Sequence, residues 1–180
     1  MSVDPPAVLR GPRLDLVLLT AEQLLSRDGV ADPVPLPYAD PHDALDPEHS
    51  PVLRRIAQVR ADPTELPWLI RLAVLRDTGE IVGLGNFHAR PDDDGMVELG
   101  YSVLPAYRGR GFGHEIAATL WGWASTHDDV RTLRATVSPD NAASIAIIER
   151  AGLLPVGEQW DDEDGLELVY EIPAADYAGP

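Results

Sequence analysis

The 180-residue chain contains no cysteine, and all fourteen of its basic residues are arginine. Without cysteine the chain has no disulfide framework and no thiolate metal site, which excludes a small disulfide-stapled secreted module. No apolar run approaches the roughly 18 residues that a membrane-spanning helix requires. Residues 1–6 carry neither a basic nor an apolar segment, so we expect no signal peptide and a cytoplasmic protein.

The chain also lacks an excess of positive charge. Its net charge of −16 argues against nucleic-acid and anionic-membrane partners, because both favour a basic face. Acidic runs at residues 92–94 and 161–164 fall in predicted turns, where they either draw a cationic amine to a binding site or keep the surface solvated. The length suits one core, so we predict a single domain over residues 1–180 with its core at 13–172.

Hydrophobic periodicity predicts an α+β protein. We predict strands at residues 13–19, 68–75, 81–88, 96–104, 131–137, 154–160 and 166–172. We predict helices at residues 21–27, with Thr20 as cap, and at 51–61, 112–126 and 141–151, the last stopped by Gly152. Residues 30–51 hold six of the seventeen prolines and several acidic residues, so we expect an irregular loop there. Residues 173–180 are expected to form a frayed tail.

The most informative segment separates the strand at 96–104 from the helix at 112–126, and it reads Arg108-Gly109-Arg110-Gly111-Phe112-Gly113. Glycines at a strand-to-helix junction let backbone N–H groups approach an anion. The dipole and free N–H groups at the helix start favour a phosphate there, and arginine adds forked donors. The pattern therefore predicts a pyrophosphate cradle, with a Gly-rich turn carrying solvated arginines as the alternative.

Two other phosphate-binding motifs fit this segment poorly. The nicotinamide dinucleotide fingerprint requires Gly-x-Gly-x-x-Gly directly after its strand. Here the spacing is Gly-x-Gly-x-Gly, and residues 105–107 intervene. A P-loop ends in Gly-Lys-Ser/Thr, and this chain has no lysine.

The run from Val103 to Gly113 resembles the acetyl-coenzyme A signature of the GNAT N-acetyltransferases. That family's pattern, Gln/Arg-x-x-Gly-x-Gly/Ala, is matched by Arg108, Gly111 and Gly113. Downstream, residues 138–144 resemble the start of the helix that flanks the pantetheine arm in this family. The Glu-Leu-Gly-Tyr run at 98–101 is similar to that of the ribosomal-protein N-terminal acetyltransferase (RimJ/RimL-like) branch.

The resemblance implies a mixed, mostly antiparallel central sheet with helices on both faces and a splayed parallel strand pair that holds the cofactor. It also implies an acyltransferase that moves an acetyl group from acetyl-CoA to a primary amine. With no cysteine to carry the acyl group, we expect direct transfer in a ternary complex, without a metal. The acceptor stays open between a protein N-terminus and a small molecule such as a polyamine, an amino acid or an aminoglycoside. The oligomeric state also stays open, with a homodimer as one candidate.

The resemblance further implies a set of site residues. The cofactor-binding residues would be Val103 through its main chain, Arg108, Gly109, Arg110, Gly111, Phe112, Gly113, Asn141 and Ser144. For Asn141, the competing role is to cap the start of its helix. Glu98 would be the general base, through a water molecule if needed, unless it faces solvent or pairs with an arginine. Ser144 would donate a hydrogen bond to the coenzyme sulfur, unless it only caps its helix or contacts the pantetheine.

One position departs from the family pattern. Many relatives have a tyrosine, the usual acid for the thiolate, where this chain has Ile148. This departure favours an alternative function, a catalytically silent acyl-CoA sensor or assembly subunit. His88 on the preceding strand has a suitable ordinary pKa for a base, although a half-exposed strand histidine is the simpler interpretation.

Overall fold

The computed structural model describes residues 7–162 and 165–179. Within them the strands are β1 (Val8–Arg10), β2 (Leu14–Leu18), β3 (Arg71–Leu75), β4 (Ile81–Phe87), β5 (Met96–Val103), β6 (Thr132–Val137), β7 (Leu154–Asp161) and β8 (Gly165–Pro173). The α-helices are α1 (Ala21–Leu25), α2 (Val52–Ala61), α3 (Phe112–Ala124) and α4 (Ala142–Arg150). Short 3₁₀ helices lie at Pro63–Trp68, Pro105–Tyr107 and Ala174–Asp176.

The strands form one sheet in the order β1-β2-β3-β4-β5-β6-β8-β7. Every neighbouring pair is antiparallel except β5 and β6, which run parallel. Their pairing ends at Glu98 and Arg134, although β5 continues to pair with β4 and β6 with β8. The two strands therefore splay apart, and the expected mixed, mostly antiparallel sheet is confirmed.

Helices cover both faces of this sheet. On one face α3 contributes Ile116, Leu120 and Trp121 to a core that also contains Phe87 and Leu133. On the other face α2 buries residues at helical spacing, Val52, Ile56 and Val59, against a second core. The sheet thus separates an α3 side from an α2 side, and both sides reach the point where β5 and β6 diverge.

Local signals fix several of the boundaries as predicted. Thr20 and Gln23 form a reciprocal capping box at the start of α1. The side chain of Asn141 caps α4 by accepting a hydrogen bond from the backbone N–H of Ser144. Gly152 follows α4 with a φ of +88°, a left-handed conformation that glycine adopts without steric cost. Residues 30–51 lack a regular helix or strand, as expected from their prolines.

Three predictions at the edges of the sheet were wrong. Trp68 lies in a 3₁₀ helix rather than in a strand, because Pro63 and Pro67 favour a turn there and Pro67 has no N–H to donate. The sequence analysis also missed β1, which precedes the predicted core and pairs with β2 through only three residues. So short a strand carries little periodicity, and tertiary pairing decides its conformation.

The third wrong prediction is the frayed tail. Residues Ala174–Asp176 form a 3₁₀ helix, and the N–H of Ala174 donates to the carbonyl of Arg131 at 2.8 Å. The ring of Tyr177 lies 6.2 Å from that of Trp121. The described part of the tail is therefore docked on the α3 side. None of the helices in the described ranges combines the length and apolarity needed to cross a bilayer.

Candidate active site

The start of α3 has the backbone geometry of an anion site. Gly111 is the N-cap with a φ of +81°, and Gly109 also has a positive φ. No side chain caps this end among the described residues, and the first helical hydrogen bond runs from the N–H of Glu115 to the carbonyl of Gly111. The preceding N–H groups of the first turn are therefore available to a ligand, and the helix dipole favours an anion there.

A long-range contact braces this turn. The carboxylate of Glu115, only 6% exposed, accepts hydrogen bonds from the backbone N–H groups of Arg13 and Leu14, at 2.5 and 2.8 Å. It also accepts from Nε of Arg13 at 2.9 Å, while Nη1 of Arg13 donates to the carbonyl of Arg110. The segment between β1 and β2 therefore supports the glycine-rich turn, a role that the sequence analysis missed because the partners lie about a hundred positions apart.

The two arginines of the glycine-rich turn have different surroundings. Nε of Arg108 donates to the carbonyl of Val103 at 3.0 Å, and Arg108 lines the cleft described below. The guanidinium of Arg110 lies 5.1 Å from the ring centre of Phe112 and 5.7 Å from that of Tyr107. It stacks on these rings at the outer side of the turn, so its direct contact with a cofactor stays a prediction.

A cleft of about 630 Å³, which we call the α3–α4 cleft, runs from the glycine-rich turn to the start of α4. Most of the predicted cofactor residues line it: Val103, Arg108, Gly109, Gly111, Phe112, Gly113, Asn141 and Ser144. Gly113 allows close packing, since a Cβ there would lie 3.0 Å from Cε2 of Tyr101 and 3.3 Å from Cδ1 of Ile147. The two motifs of the sequence analysis therefore meet in one place.

Two further cavities adjoin this cleft. The strand-gap cavity, about 220 Å³, lies where β5 and β6 diverge and is lined by His88, Gly100, Thr136 and Glu167, among others. The α2 cavity, about 600 Å³, lies on the other face of the sheet, between α2 and the ends of β4 and β5. Tyr101 lines all three spaces, and His88 and Gly100 line both the strand-gap cavity and the α2 cavity.

Glu98 lies at this gap, hydrogen-bonded to Thr136 and close to His88. Its Oε1 accepts a hydrogen bond of 2.6 Å from Oγ1 of Thr136 and lies 3.3 Å from Nδ1 of His88. Burial, opposed by the charge of Glu98, lowers the pKa of His88 below its ordinary value. The ring packs against Gly100, where a Cβ would lie 3.0 Å from Nε2. His88 and Glu98 thus form a pair whose histidine is neutral at neutral pH.

Tyr101 and Ser144 form a second pair, across the α3–α4 cleft. The phenol of Tyr101 donates a 3.0 Å hydrogen bond to Oγ of Ser144. Burial raises the pKa of Tyr101, so the phenol keeps its proton at neutral pH. Ile148, at the position where many relatives have a tyrosine, is only 2% exposed and belongs to the core. A phenol is therefore present at the site, on β5 instead of α4.

Tyr101 and the arginines of α2 line the site but were not predicted from the sequence, and the simpler interpretation of His88 did not place it there. Tyr101 closes the Glu-Leu-Gly-Tyr run, and its period-2 position relative to Val103 on β5 was a usable signal. Two consecutive arginines, Arg54 and Arg55, in so acidic a chain were another. Both line the α2 cavity.

The acidic clusters have local roles where they are described. Oδ1 of Asp92 accepts hydrogen bonds from the backbone N–H groups of Asp94 and Met96 and so closes the turn before β5. Of the second run, Glu163 and Asp164 lie outside the described residues. Asp46, Glu48 and His49 bring one ligand atom each within 4.8 Å of one another at the exposed rim of the α2 cavity. The absence of a metal therefore stays a prediction.

The family is shown by a family model, described as "Acetyltransferase (GNAT) domain", that matches residues 8–154. The chain belongs to the GNAT acetyltransferase family, and the resemblance seen in its two motifs is confirmed. It is 33% identical over 87 residues to the Bacillus subtilis protein named "Uncharacterized N-acetyltransferase YjdG", covering 48% of this chain and 50% of that one. The chain thus spans about half the length of the curated relatives it matches.

Solved structures share the fold over nearly the whole chain. A putative ribosomal-protein-serine acetyltransferase from Vibrio cholerae superposes with a TM-score of 0.63 at 18% identity, covering 95% of this chain and 99% of that one. A chimera of the Vibrio cholerae spermidine N-acetyltransferase SpeG gives 0.64 at 13% identity, covering 92% and 98%. At such identities the likeness shows the fold alone.

Proposed function

We propose that this protein transfers an acetyl group from acetyl-CoA to a primary amine by direct transfer within a ternary complex. The observation that carries the proposal is the meeting of three cavities at Tyr101, where β5 and β6 diverge. A thioester entering from the α3 side and an amine entering from the α2 side would meet there without a covalent enzyme intermediate. The described geometry and family membership support the proposal together.

The α3–α4 cleft fits acetyl-CoA. The uncapped start of α3 offers backbone N–H groups to the pyrophosphate, and Gly113 keeps a Cβ out of the narrow approach between α3 and Tyr101. Asn141 and Ser144 line the same cleft and would bind the pantetheine arm. When bound, acetyl-CoA supplies the activated acetyl group as a thioester.

Proton removal from the amine would be the task of the His88–Glu98 pair. Neutral His88 can accept a proton, and the carboxylate of Glu98, 3.3 Å from Nδ1, stabilises the resulting imidazolium. Thr136 fixes the Glu98 carboxylate through its 2.6 Å hydrogen bond. Glu98, the predicted base, would therefore have one of two roles. It would accept the proton of an amine that reaches it, or it would position His88 to accept that proton. Either role requires its negative charge.

Proton delivery to the leaving sulfur would be the task of Tyr101. Its phenol is protonated and hydrogen-bonded to Ser144, which lines the same cleft. Because the single phenol proton is donated to Oγ of Ser144, Ser144 would give its own hydroxyl proton to the sulfur and take the proton of Tyr101 in its place. If Tyr101 acts in this way, turnover would not require a tyrosine at position 148, whereas the silent-sensor alternative would leave Tyr101 without a catalytic role.

The test combines cofactor binding and turnover. Calorimetric titration with acetyl-CoA should show saturable binding that Arg108→Ala and Gly111→Trp weaken. Release of free CoA should then be measured with a panel of primary amines, for wild type and for Glu98→Gln. We expect Glu98→Gln to lower kcat by about 10²–10⁴-fold, whereas Glu158→Gln, on exposed β7, should not change it. Binding of acetyl-CoA with no turnover of any amine would instead support the sensor.

A further inference from the structure

Strand β4 carries one polar side chain in an otherwise apolar sequence. Residues Ile81–Phe87 are all buried, and Asn86 is the polar one among them. It is 5% exposed and lines the α2 cavity. Because side chains alternate along a strand, Asn86 shares the α2 face with Leu84, which belongs to the second core, and with His88. An apolar residue would suit this burial better, so the amide requires a chemical explanation.

The Asn86 amide has unused hydrogen-bonding capacity. Its Nδ2 donates to the carbonyl of Phe87 at 3.1 Å, which uses one of its two N–H groups. Its Oδ1 accepts no hydrogen bond from residues 7–162 and 165–179, yet it retains accessible surface. A ligand or water molecule in the α2 cavity can therefore reach this oxygen and donate to it.

Gly100 leaves open the space beside this amide. It pairs directly with Asn86 across β4 and β5. A Cβ on Gly100 would lie 3.0 Å from Nε2 of His88 and 3.4 Å from Nδ2 of Asn86, so both side chains border the space over its Cα. The other ring nitrogen of His88, Nδ1, lies 3.3 Å from Glu98, and the His88 side chain is 44% exposed. We call the space over Gly100, between His88 and Asn86, the Gly100 pocket.

The polar atoms that border the Gly100 pocket match the hydrogens of a primary amine. Oδ1 of Asn86 is one hydrogen-bond acceptor, and the unprotonated nitrogen of a neutral His88 is another. A neutral primary amine has two N–H groups and one lone pair. When both N–H groups are bound, the lone pair is the part of the nitrogen that stays free to attack a thioester. Tyr101, the next residue after Gly100, lines the α3–α4 cleft from which the thioester would come.

We propose that the acceptor amine binds in the Gly100 pocket through both of its N–H groups, donating one to Oδ1 of Asn86 and the other to Nε2 of His88. The inference rests on the proposed acetyl transfer, and it makes Asn86 and Gly100 determinants of acceptor choice. Gly100 provides the room, and Asn86 holds the nitrogen beside the base. A secondary amine has one N–H and an additional carbon, so it cannot satisfy both acceptors and fits the pocket less well.

Paired amines test the restriction to primary amines. The probes are n-butylamine against N-methylbutylamine, and glycinamide against its N-methyl derivative sarcosinamide, with release of CoA as the readout. We expect kcat/KM to be at least about tenfold higher for the primary amine of each pair, because the secondary amine leaves one acceptor unpaired. Equal or faster turnover of the N-methyl compounds would overturn the inference and leave acetyl transfer intact.

The variant Gly100→Ala places a methyl group in the pocket. The bordering side chains need to move by only a few tenths of an ångström, so we expect the protein to fold. The value of kcat/KM for n-butylamine and glycinamide should fall about 10²-fold, because the nitrogen is displaced from the base, while the Kd of acetyl-CoA stays the same. Gly157→Ala on β7, where a Cβ meets nothing within 4 Å, is the matched control. Wild-type turnover in Gly100→Ala contradicts the pocket.

The variant Asn86→Leu keeps the approximate shape of the side chain and removes its polar atoms. We expect kcat/KM for the primary amines to fall about three- to tenfold, the effect of one hydrogen bond. The N-methyl compounds should be unaffected, because their single N–H must face the base. Thermal unfolding and calorimetry with acetyl-CoA check that the variant is folded. Unchanged turnover of the primary amines, or equal losses for both members of a pair, would contradict the role of Asn86.

An NMR titration separates failure of this inference from failure of acetyl transfer. The side-chain amide signals of Asn86, assigned by their loss in Asn86→Leu, are followed in the CoA-saturated protein while n-butylamine or glycinamide is added. Saturable shifts that Gly100→Ala abolishes support the pocket, even if no amine releases CoA from acetyl-CoA. The absence of a shift with both amines overturns the pocket, whether or not the protein transfers acetyl groups.

Discussion

The α3–α4 cleft and the α2 cavity lie on opposite sides of the sheet, and the chain builds them in different ways. The cleft is formed mainly by two short segments, residues 101–114 and 141–147, and backbone geometry dominates it. The cavity combines side chains from residues 47–55, 84–88 and 100–102. A site made of contiguous backbone leaves a motif in the sequence, whereas a site assembled from separate elements does not.

The largest expected effect concerns Tyr101, which joins the two sides. Tyr101→Phe removes the proposed proton donor but keeps the ring that lines all three cavities. We expect kcat to fall about 10²–10⁴-fold, with a much smaller change in the Kd of acetyl-CoA, measured by steady-state kinetics and calorimetry. Tyr38→Phe, in the α2-side core, is the control. Unchanged kcat in Tyr101→Phe would show that the phenol plays no part in transfer.

The next prediction tests whether the α3–α4 cleft depends only on the residues of its motif or also on the distant segment that Glu115 contacts. Glu115→Gln weakens the hydrogen bonds to the backbone of Arg13 and Leu14 and removes the ion pair with Arg13. Because the site is buried, we expect a loss of about 1.5–3 kcal/mol in the free energy of unfolding, measured by denaturant titration, and weaker acetyl-CoA binding. The exposed Glu149→Gln on α4 should change neither. Wild-type stability of Glu115→Gln would mean that the brace is dispensable.

A smaller effect should distinguish Gly113 from Gly122, two glycines of α3. In Gly113→Ala the new Cβ would press on Tyr101 and Ile147, so these side chains must move by a few tenths of an ångström and acetyl-CoA should bind about tenfold more weakly. In Gly122→Ala the Cβ meets nothing within 4 Å, and alanine should stabilise the helix interior by about 0.5–1 kcal/mol. Calorimetry and thermal unfolding measure the two changes. Equal affinities for acetyl-CoA in the two variants would refute the close-approach role of Gly113.

The smallest expected effect is a shift in the pH dependence of kcat/KM, caused by the lowered pKa of His88. His88 is surrounded by Glu98, Glu167, Arg54 and Arg55, and burial outweighs the carboxylates in lowering its pKa. The acid limb of kcat/KM should therefore have its midpoint below about pH 6.5, the ordinary histidine value. A midpoint above that value would show that Glu98 dominates instead.

The same shift affects stability. Since the folded state holds the proton less tightly than the unfolded state, His88 lowers stability as the pH falls below about 6.5. His88→Gln should reduce this acid sensitivity, as followed by thermal unfolding between pH 7 and 5. His127→Gln is the control, because the ring of His127 packs edge-on against Trp123 outside the three cavities.

Much of the sheet was predictable, because strands such as β4 and β5 are long enough to show their burial pattern and are bounded by turn residues. The positions of Gly111 and Asn141 were predictable because helix starts require particular residues. The short β1, the 3₁₀ helix at Trp68 and the docked tail were not, since their conformations depend on partners distant in the chain.

The sequence by itself determined the order of elements, the glycine-rich turn and the family, because backbone conformation and helix termini depend on a few neighbouring residues. Only the tertiary structure decided that β5 and β6 diverge after Glu98 and that its carboxylate is hydrogen-bonded to Thr136 and close to His88. It also decided that Arg55 is buried beside a cavity. Burial, pairing and charge environment depend on which distant segments pack together, and those properties set the chemistry of each side chain.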